Sequence, residues 1–584
     1  MSLAKSLTAA LLTCLLGFGA PARRPSRPKA PSAARSWMRS MTLRDKVAQL
    51  VFVPFYGEAP NTRSQEYQKY LRWVRQLRVG GLVLVNRVRN GAVEHAEPFA
   101  MATFLNRMQK ASRVPLLVAG DFERGDSMRV TSQTLFPHAM AFAATRDPAL
   151  SRYEGAVTAR QARALGVPWI LAPVADVNVN PENPILNIRS YGENPVEVSA
   201  HVRAFIEGAH SGASGPVLVT AKHFPGHGDT ATDTHLALAV LGADKARLEA
   251  LELVPFRAAI AAGVDAVMTA HIAVPALDDP ETPATLSRAM LTGLLREGLG
   301  FQGLIVTDAM DMNGVAKHWA AGQAAVKALE AGADVLLMPA NPEQAVDAVV
   351  RAVSSGTLRR QRIDESVNRL LAAKVRLGLN RRRLVNAEAA MDELDSPEDL
   401  ARAQEIADRA VTLVTNQGSL VPLKSGSACF LLLPEGRYST QGKTFAAEVR
   451  KRSPNAQILT LDPAANEADF DKAVATAKSC DVVVAAAFAS VAAYRGTTAL
   501  AGGYPALLTA LVDSGRPVIL AALGNPYLIR SFPGAGAYLT TYSTVAPSEV
   551  AAVKALFGEI PIQGRLPVTI PGIANYGDGI QLAR

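Results

Sequence analysis

Eight short apolar runs punctuate residues 39–380, at 49–55, 81–85, 116–119, 169–172, 217–221, 266–269, 304–307 and 335–338. Each is continuous rather than alternating, the pattern of a parallel strand covered on both faces. Amphipathic stretches separate them, the clearest at 147–165, 196–210, 244–262 and 316–331. A strand followed by a helix, eight times over, closes into a TIM (β/α)8-type barrel. That repeat, more than any single motif, limits what the region can fold into.

The residues just past the runs carry the second signal. Asp121 follows PLLVAG, Asp176 follows WILAPVA, and Lys222 and His223 follow VLVTA; His271 follows AVMTA and Asp308 follows GLIVT. Any one of them, taken alone, reads equally well as a helix cap or a solvated turn. Five strand ends in phase describe the carboxyl-terminal rim of a barrel, where barrel enzymes assemble their sites.

A composition change follows at 381–400, a charged stretch with no long apolar run that reads as a linker. Beyond it, 401–584 alternates buried strands (429–433, 457–461, 482–487, 518–523, 538–542) with helices (467–478, 548–557), the pattern of a smaller open α/β sandwich domain. It opens on no GxGxxG or phosphate loop, so nucleotide binding has no basis in the sequence. Two domains also suit the length, since 584 residues exceed one ordinary core. The net charge of +9 is modest and owes part to Arg23, Arg24, Arg27 and Arg35. It argues for no nucleic-acid partner and is compatible with an acidic glycan. The oligomeric state leaves no readable mark.

The N-terminus reads as a secretory signal over residues 1–22: Lys5, an apolar run over 7–18, and Ala20-Pro21-Ala22 as a cleavage site. The run is too short for a membrane span. Cys14 sits inside it as part of the apolar stretch rather than as a lipid anchor. Residues 23–38, rich in Pro, Arg, Ser and Ala, are expected to be a disordered tail. The protein is thus expected to be exported, periplasmic or extracellular. Of the three cysteines, Cys429 and Cys480 remain after cleavage, and the reading favours two free buried thiols over a disulfide.

One loop concentrates polar chemistry. KHFPGHGDTATDTH, residues 222–235, holds three of the nine histidines. A metal site is one reading, but Pro225-Gly226 interrupts the helix that would put His223 and His227 on one face. A structural reading, with polar side chains tying down a long loop, suits His227 and Asp229. Acid–base catalysis is the third reading. Asp233 and His235 are two apart, so in a turn the carboxylate accepts from the imidazole, fixing its tautomer and supporting its protonated form. Gly226 and Gly228 leave the loop free to bring His235 over a substrate. Asp308 is the best-placed carboxylate to attack or stabilise the electrophile. The reading calls for no metal and no cofactor.

KHFPGHGDTATDTH closely resembles the signature of bacterial β-N-acetylhexosaminidases of glycoside hydrolase family 3, and GLIVTDAMDM resembles that family's nucleophile segment. GDFERG and NPILNIRSYGENP resemble two blocks that line the sugar site, while AVTLVTNQGSLVPL and GRLPVTIPG resemble the C-terminal module. The likeness spans nearly all of the chain after the signal. It implies a retaining exo-β-N-acetylglucosaminidase acting on peptidoglycan fragments or chitooligosaccharides. Asp308 would be the nucleophile, His235 the acid/base and Asp233 its orienting partner. It also implies sugar binding by Asp121, Arg189, Lys222 and His223. Phosphorolysis on the same site, a β-glucosidase or β-xylosidase, and a non-catalytic glycan-binding protein are the alternatives.

Other readings stand beside these roles. Arg189 could pair with Glu193 or Asp176, and Lys222 with Asp176. Glu123 and Arg124 could pair with neighbours, and His271 could line the pocket or be a satisfied core histidine. In the second domain, the turns at 493–498 and 524–527 are expected to be ordinary sheet-end loops.

Overall fold

A computed structural model describes residues 32–584 apart from 90–91, 213–214 and 425–426. Residues 1–22, expected to be a signal, and residues 23–31 of the expected tail lie outside the described residues. Eight strands follow one another around the first domain: β1 (Val51–Phe55), β2 (Gly81–Leu84), β3 (Leu117–Gly120), β4 (Trp169–Ile170), β5 (Leu218–Phe224), β6 (Ala266–Thr269), β7 (Leu304–Val306) and β8 (Leu336–Leu337). All are parallel, β8 returns to pair with β1, and a bridge between Val306 and Val335 closes the ring at β7. The expected barrel is present. Gln49, expected in β1, ends the preceding helix Leu43–Gln49 instead.

Large side chains fill the barrel. The Phe52 and Trp169 rings meet edge to face at 5.4 Å, and the Trp169 indole donates to the Thr220 hydroxyl at 2.8 Å. Gly81 makes room for them, since a β-carbon there would lie 2.2 Å from the Phe52 ring and 1.9 Å from the Leu117 carbonyl oxygen. Buried charges at the amino-terminal ends of the strands serve the fold. Asp265 accepts from the Val219 amide and pairs with His210 and Arg376; Asp334 accepts from the Ile305 amide and pairs with Arg296 and Arg369. Lys374 is fully buried, donates to Gln49 Oε1 and the Gly80 carbonyl, and is pushed down to about 7 by burial.

Two sequence expectations give way here. Residues 32–38, placed by composition in a disordered tail, lie in a helix, Ser32–Arg39, whose Ala34 is fully buried and whose Trp37 and Met38 pack on the barrel core. Apolar residues on one face are enough to fix it despite the arginines. The stretch 381–400, expected to be a linker, is strapped to the barrel. The Asn106 side chain bonds both backbone groups of Val385, and helices run over Ala387–Met391 and Pro397–Ala410. Asp399 accepts from Tyr153 and Arg160.

The second domain is one six-stranded sheet: β9 (Thr412–Asn416), β10 (Ala428–Leu433), β11 (Gln457–Thr460), β12 (Val482–Ala489), β13 (Val518–Gly524) and β14 (Ala537–Thr540). Its order is β9-β14-β13-β12-β10-β11, parallel except for β9, which runs antiparallel on β14. β9 is only half buried and lacks a continuous apolar run, so its sequence gave no strand signal. Alternate residues of the strands feed a core on either face of the sheet, and one of those cores takes in Met140, Ala141, Ala144 and Ile188 of the barrel domain. The domains therefore share apolar packing. Cys429 and Cys480 form a disulfide, against the expectation of free thiols. They stand at the same end of neighbouring β10 and β12 with Cα atoms 5.9 Å apart, within bonding reach. No helix among the described residues is long and apolar enough to cross a membrane.

Candidate active site

The carboxyl-terminal rim of the barrel carries a dense ionic network. Lys222, on β5, is 2 % exposed and donates to Asp121 at 2.9 Å and to Glu123 at 2.7 Å, both just past β3. Arg189 grips Glu123 with two parallel bonds of 2.8 Å and donates to the Ile185 carbonyl, while Arg129 holds the other oxygen of Asp121 at 3.0 Å. Burial pushes both carboxyls up, but Lys222 with Arg129 on Asp121, and Arg189 with Lys222 on Glu123, outweigh it and hold them below their ordinary range. Neither cation takes the partner the sequence offered it. Glu193 instead accepts from the amide and hydroxyl of Thr569, and Asp176 accepts from His223 and His227 rather than from either cation.

Asp176, fully buried past β4, orients the histidine loop. It accepts from the His223 amide, from His223 Nδ1 at 2.8 Å and from the His227 amide at 2.7 Å. His223 Nε2 thereby faces Arg189 at 3.5 Å. His227 is a structural member, bonded to the Thr230 and Thr234 hydroxyls and pushed down to about 4 by burial; Asp229 pairs with Arg247. Glycine at 228 is a steric need, since a β-carbon there would lie 1.7 Å from the Val177 carbonyl oxygen.

Asp308 lies two residues past β7. Its Oδ1 accepts from the Ala309 amide at 2.7 Å, and its Oδ2 has no hydrogen-bond partner among the described residues. Burial raises the carboxyl, but the charges of His223, His271 and His235 with the Ala309 amide bring it below the ordinary range. His271, fully buried, donates from Nε2 to the Ala309 carbonyl and bonds the Thr285 hydroxyl through Nδ1, so it is a satisfied histidine that also fixes the backbone beside Asp308.

Asp233 and His235 form the pair their spacing predicts. Asp233 Oδ1 accepts from the His235 amide at 2.9 Å and from its Nδ1 at 2.8 Å. A carboxylate only accepts, so Nδ1 carries a proton and Nε2 is left for any proton exchanged with a ligand. The Gly314 amide, beyond Asp308 in the chain, donates to the Thr234 carbonyl at 3.0 Å and ties the loop back to the β7 side of the rim. The other oxygen of Asp233 accepts at 2.9 Å from the amide of Tyr494, in the second domain, whose ring stands 5.0 Å from that of His235. The turn expected to be an ordinary sheet-end loop thus reaches the barrel mouth. So does the 524–527 turn, where Tyr527 and Asn525 bond Asn178 and Asn187.

The structure gathers Asp121, Arg189, Lys222, His223, Asp233, His235 and Asp308 at one rim. Sequence reasoning missed the anchoring role of Asp176, whose position past β4 was the available clue. It left Glu123 unassigned although one carboxylate serves both cations. It also missed Asp311, a carboxylate three residues past Asp308 that the surrounding protein and the charge of Asp308 push above the ordinary range. Tyr494 gave no signal. Among the described residues no group of three His, Cys, Asp or Glu side chains is arranged to hold a metal ion.

Two family descriptions match the chain, "Glycosyl hydrolase family 3 N terminal domain" over residues 42–373 and "Glycosyl hydrolase family 3 C-terminal domain" over 411–579. A β-N-acetylglucosaminidase/β-glucosidase of Cellulomonas fimi is 29% identical over 554 residues, covering 91% of this chain and 95% of the relative. Among solved structures, a family 3 β-N-acetylglucosaminidase from Paenibacillus sp. strain FPU-7 superposes with a TM-score of 0.80 at 31% identity, over 91% of this chain and 99% of that one. The β-glucoside phosphorylase BglX gives 0.81 at 26% identity, over 92% and 96%. With both modules matched in order and the two-domain architecture shared end to end, the chain belongs to glycosyl hydrolase family 3 and is a glycoside hydrolase.

Proposed function

We propose that the protein is a retaining exo-β-N-acetylglucosaminidase that removes terminal GlcNAc from peptidoglycan fragments or chitooligosaccharides. The observation that carries the reading is an ionised Asp308 with one unbonded oxygen, within electrostatic reach of an imidazole whose Nδ1 is committed to Asp233. In the first step Asp308 Oδ2 attacks the anomeric carbon as the glycosidic C–O bond breaks. The His235 imidazolium gives its Nε2 proton to the departing oxygen. In the second, neutral His235 takes a proton from water, whose oxygen displaces the Asp308 carboxylate and retains the anomeric configuration. Asp121, Lys222, Arg189 and His223 bind the sugar hydroxyls, their charged groups held in register by Glu123 and Asp176. Export, implied by residues 1–22, would bring the enzyme to such glycans. Arg124 supports an acidic substrate: beside Glu123 at the rim, it makes no ion pair or side-chain hydrogen bond among the described residues, and burial with the charge of Arg129 pushes it down to about 10.

Likeness to BglX favours a second reading, phosphorolysis. Once the leaving group has departed and the glycosyl group is held on Asp308, a neutral histidine repels an incoming phosphate less than a second carboxylate would. A 2-fluoro N-acetylglucosaminyl probe tests the nucleophile. Mass spectrometry should find the label on Asp308, and label on any other residue overturns the assignment. Product analysis with and without phosphate separates GlcNAc from its 1-phosphate, and preference for aryl glucosides over N-acetylglucosaminides would displace the substrate assignment.

A further inference from the structure

The second domain presents an aromatic side chain to the mouth of the site. Tyr494 is 59 % exposed, and Leu236, next in sequence to His235, is 37 % exposed. The Tyr494 ring stands 5.0 Å from the imidazole of His235. Leu236 also meets the second-domain loop, since a β-carbon at Gly496 would lie 3.0 Å from its Cδ1. The loop is anchored behind this contact, Arg495 being paired with Glu435 and bonded to the Ser490 and Ala499 carbonyls. Tyr494 itself has φ of 67°, a left-handed conformation that disfavours any residue with a β-carbon. Glycine would sit there without strain and would still supply the amide that Asp233 accepts. The ring is therefore kept at a conformational cost, in water, where folding gains little from it.

We propose that Tyr494 and Leu236 form the platform on which the leaving sugar rests, a pyranose lying with its apolar C–H face on the tyrosine ring while His235 addresses its glycosidic oxygen. The inference rests on His235 acting as the proton donor. An aromatic wall beside a proton donor suits a ring-shaped leaving group, because pyranose faces are apolar while their rims hydrogen-bond. The aromatic half of the platform comes from the second domain, so the barrel supplies the chemistry and the neighbouring domain helps select what departs.

The test compares N,N′-diacetylchitobiose, whose leaving group is a pyranose, with methyl N-acetyl-β-glucosaminide, whose leaving group has no ring but needs the proton of His235 as much. The ratio of kcat/KM for the disaccharide to that for the methyl glycoside should fall roughly 5- to 10-fold in Tyr494→Gly and stay near the parent value in Tyr494→Phe. Leu236→Ser should lower it about threefold. A ratio unmoved in Tyr494→Gly overturns the proposal, and so does a loss equally large for both substrates, which would make Tyr494 only a positioning residue for Asp233. If the parent enzyme turns over neither substrate, the catalytic reading has failed. Calorimetric binding of the disaccharide then decides the platform alone, weaker binding in Tyr494→Gly supporting it and equal binding overturning it.

Discussion

Glu123→Gln should destabilise the barrel far more than Lys222→Met, although the two side chains touch. The network contains three cations, Lys222, Arg189 and Arg129, and two carboxylates, Asp121 and Glu123. Removing Glu123 leaves three positive charges on one carboxylate, with unpaired Arg124 beside them, and breaks three charge-assisted bonds. Breaking a buried pair by removing one partner costs about 3–5 kcal/mol. Removing Lys222 leaves two cations facing two carboxylates, Arg189 still on Glu123 and Arg129 still on Asp121. That substitution should cost about 1–2 kcal/mol for the lost bonds. Both variants should lose activity, so activity does not discriminate between them; stability does. All four tryptophans, Trp37, Trp73, Trp169 and Trp319, lie in the barrel half of the chain, so their fluorescence during urea unfolding reads that domain selectively. The double variant should be more stable than Glu123→Gln alone, because the charge count is restored. Equal costs for the two single variants, or a double variant less stable than either, would refute the charge-balance argument.

Asp233→Asn removes the carboxylate that holds His235 Nδ1, and kcat on a disaccharide should drop on the order of 10²-fold, with a smaller loss on aryl glycosides whose leaving groups need less protonation; equal losses on both would remove the pair from acid catalysis. For Lys374, held at about 7 against an ordinary 10.5, the unfolded chain binds the extra proton between those values. The parent should therefore gain stability over Lys374→Met as pH rises from 7 towards 10, by up to about 1.4 kcal/mol per pH unit, measured as the difference in unfolding free energy. A difference that does not change with pH would refute a neutral buried lysine. Replacing Cys429 and Cys480 with serine opens a loop of sequence separation 51 and should cost the second domain about 4 kcal/mol. Hydrogen exchange should register the loss in β10 to β12, and unchanged protection would argue against the bond.

The barrel was legible because a buried parallel strand has one signature, an unbroken apolar run, and all eight strands carried it. β9 was not, being half exposed at a sheet edge. Within the site, Asp233 and His235 were readable because their partnership is local, two residues apart. The pairing of Lys222 with Asp121 and Glu123 rather than Asp176 depends on which strand ends face each other across the rim, which no local pattern encodes. Cysteine spacing was equally silent: 429 and 480 become neighbours only through the order of β10 and β12. Composition misjudged 32–38 because a few apolar residues on one helical face outweigh several arginines once a barrel is there to receive them.

The bond from residue 494 to Asp233 comes from the main chain. Every amino acid except proline can make it, so natural variation at that position can exchange the side chain while leaving the clamp on the acid/base pair intact. Selection for the clamp alone would preserve the length and course of the loop, leaving the tyrosine to answer to the platform. Chains that keep the histidine motif but shorten this loop would be the ones in which the motif has come apart from its support.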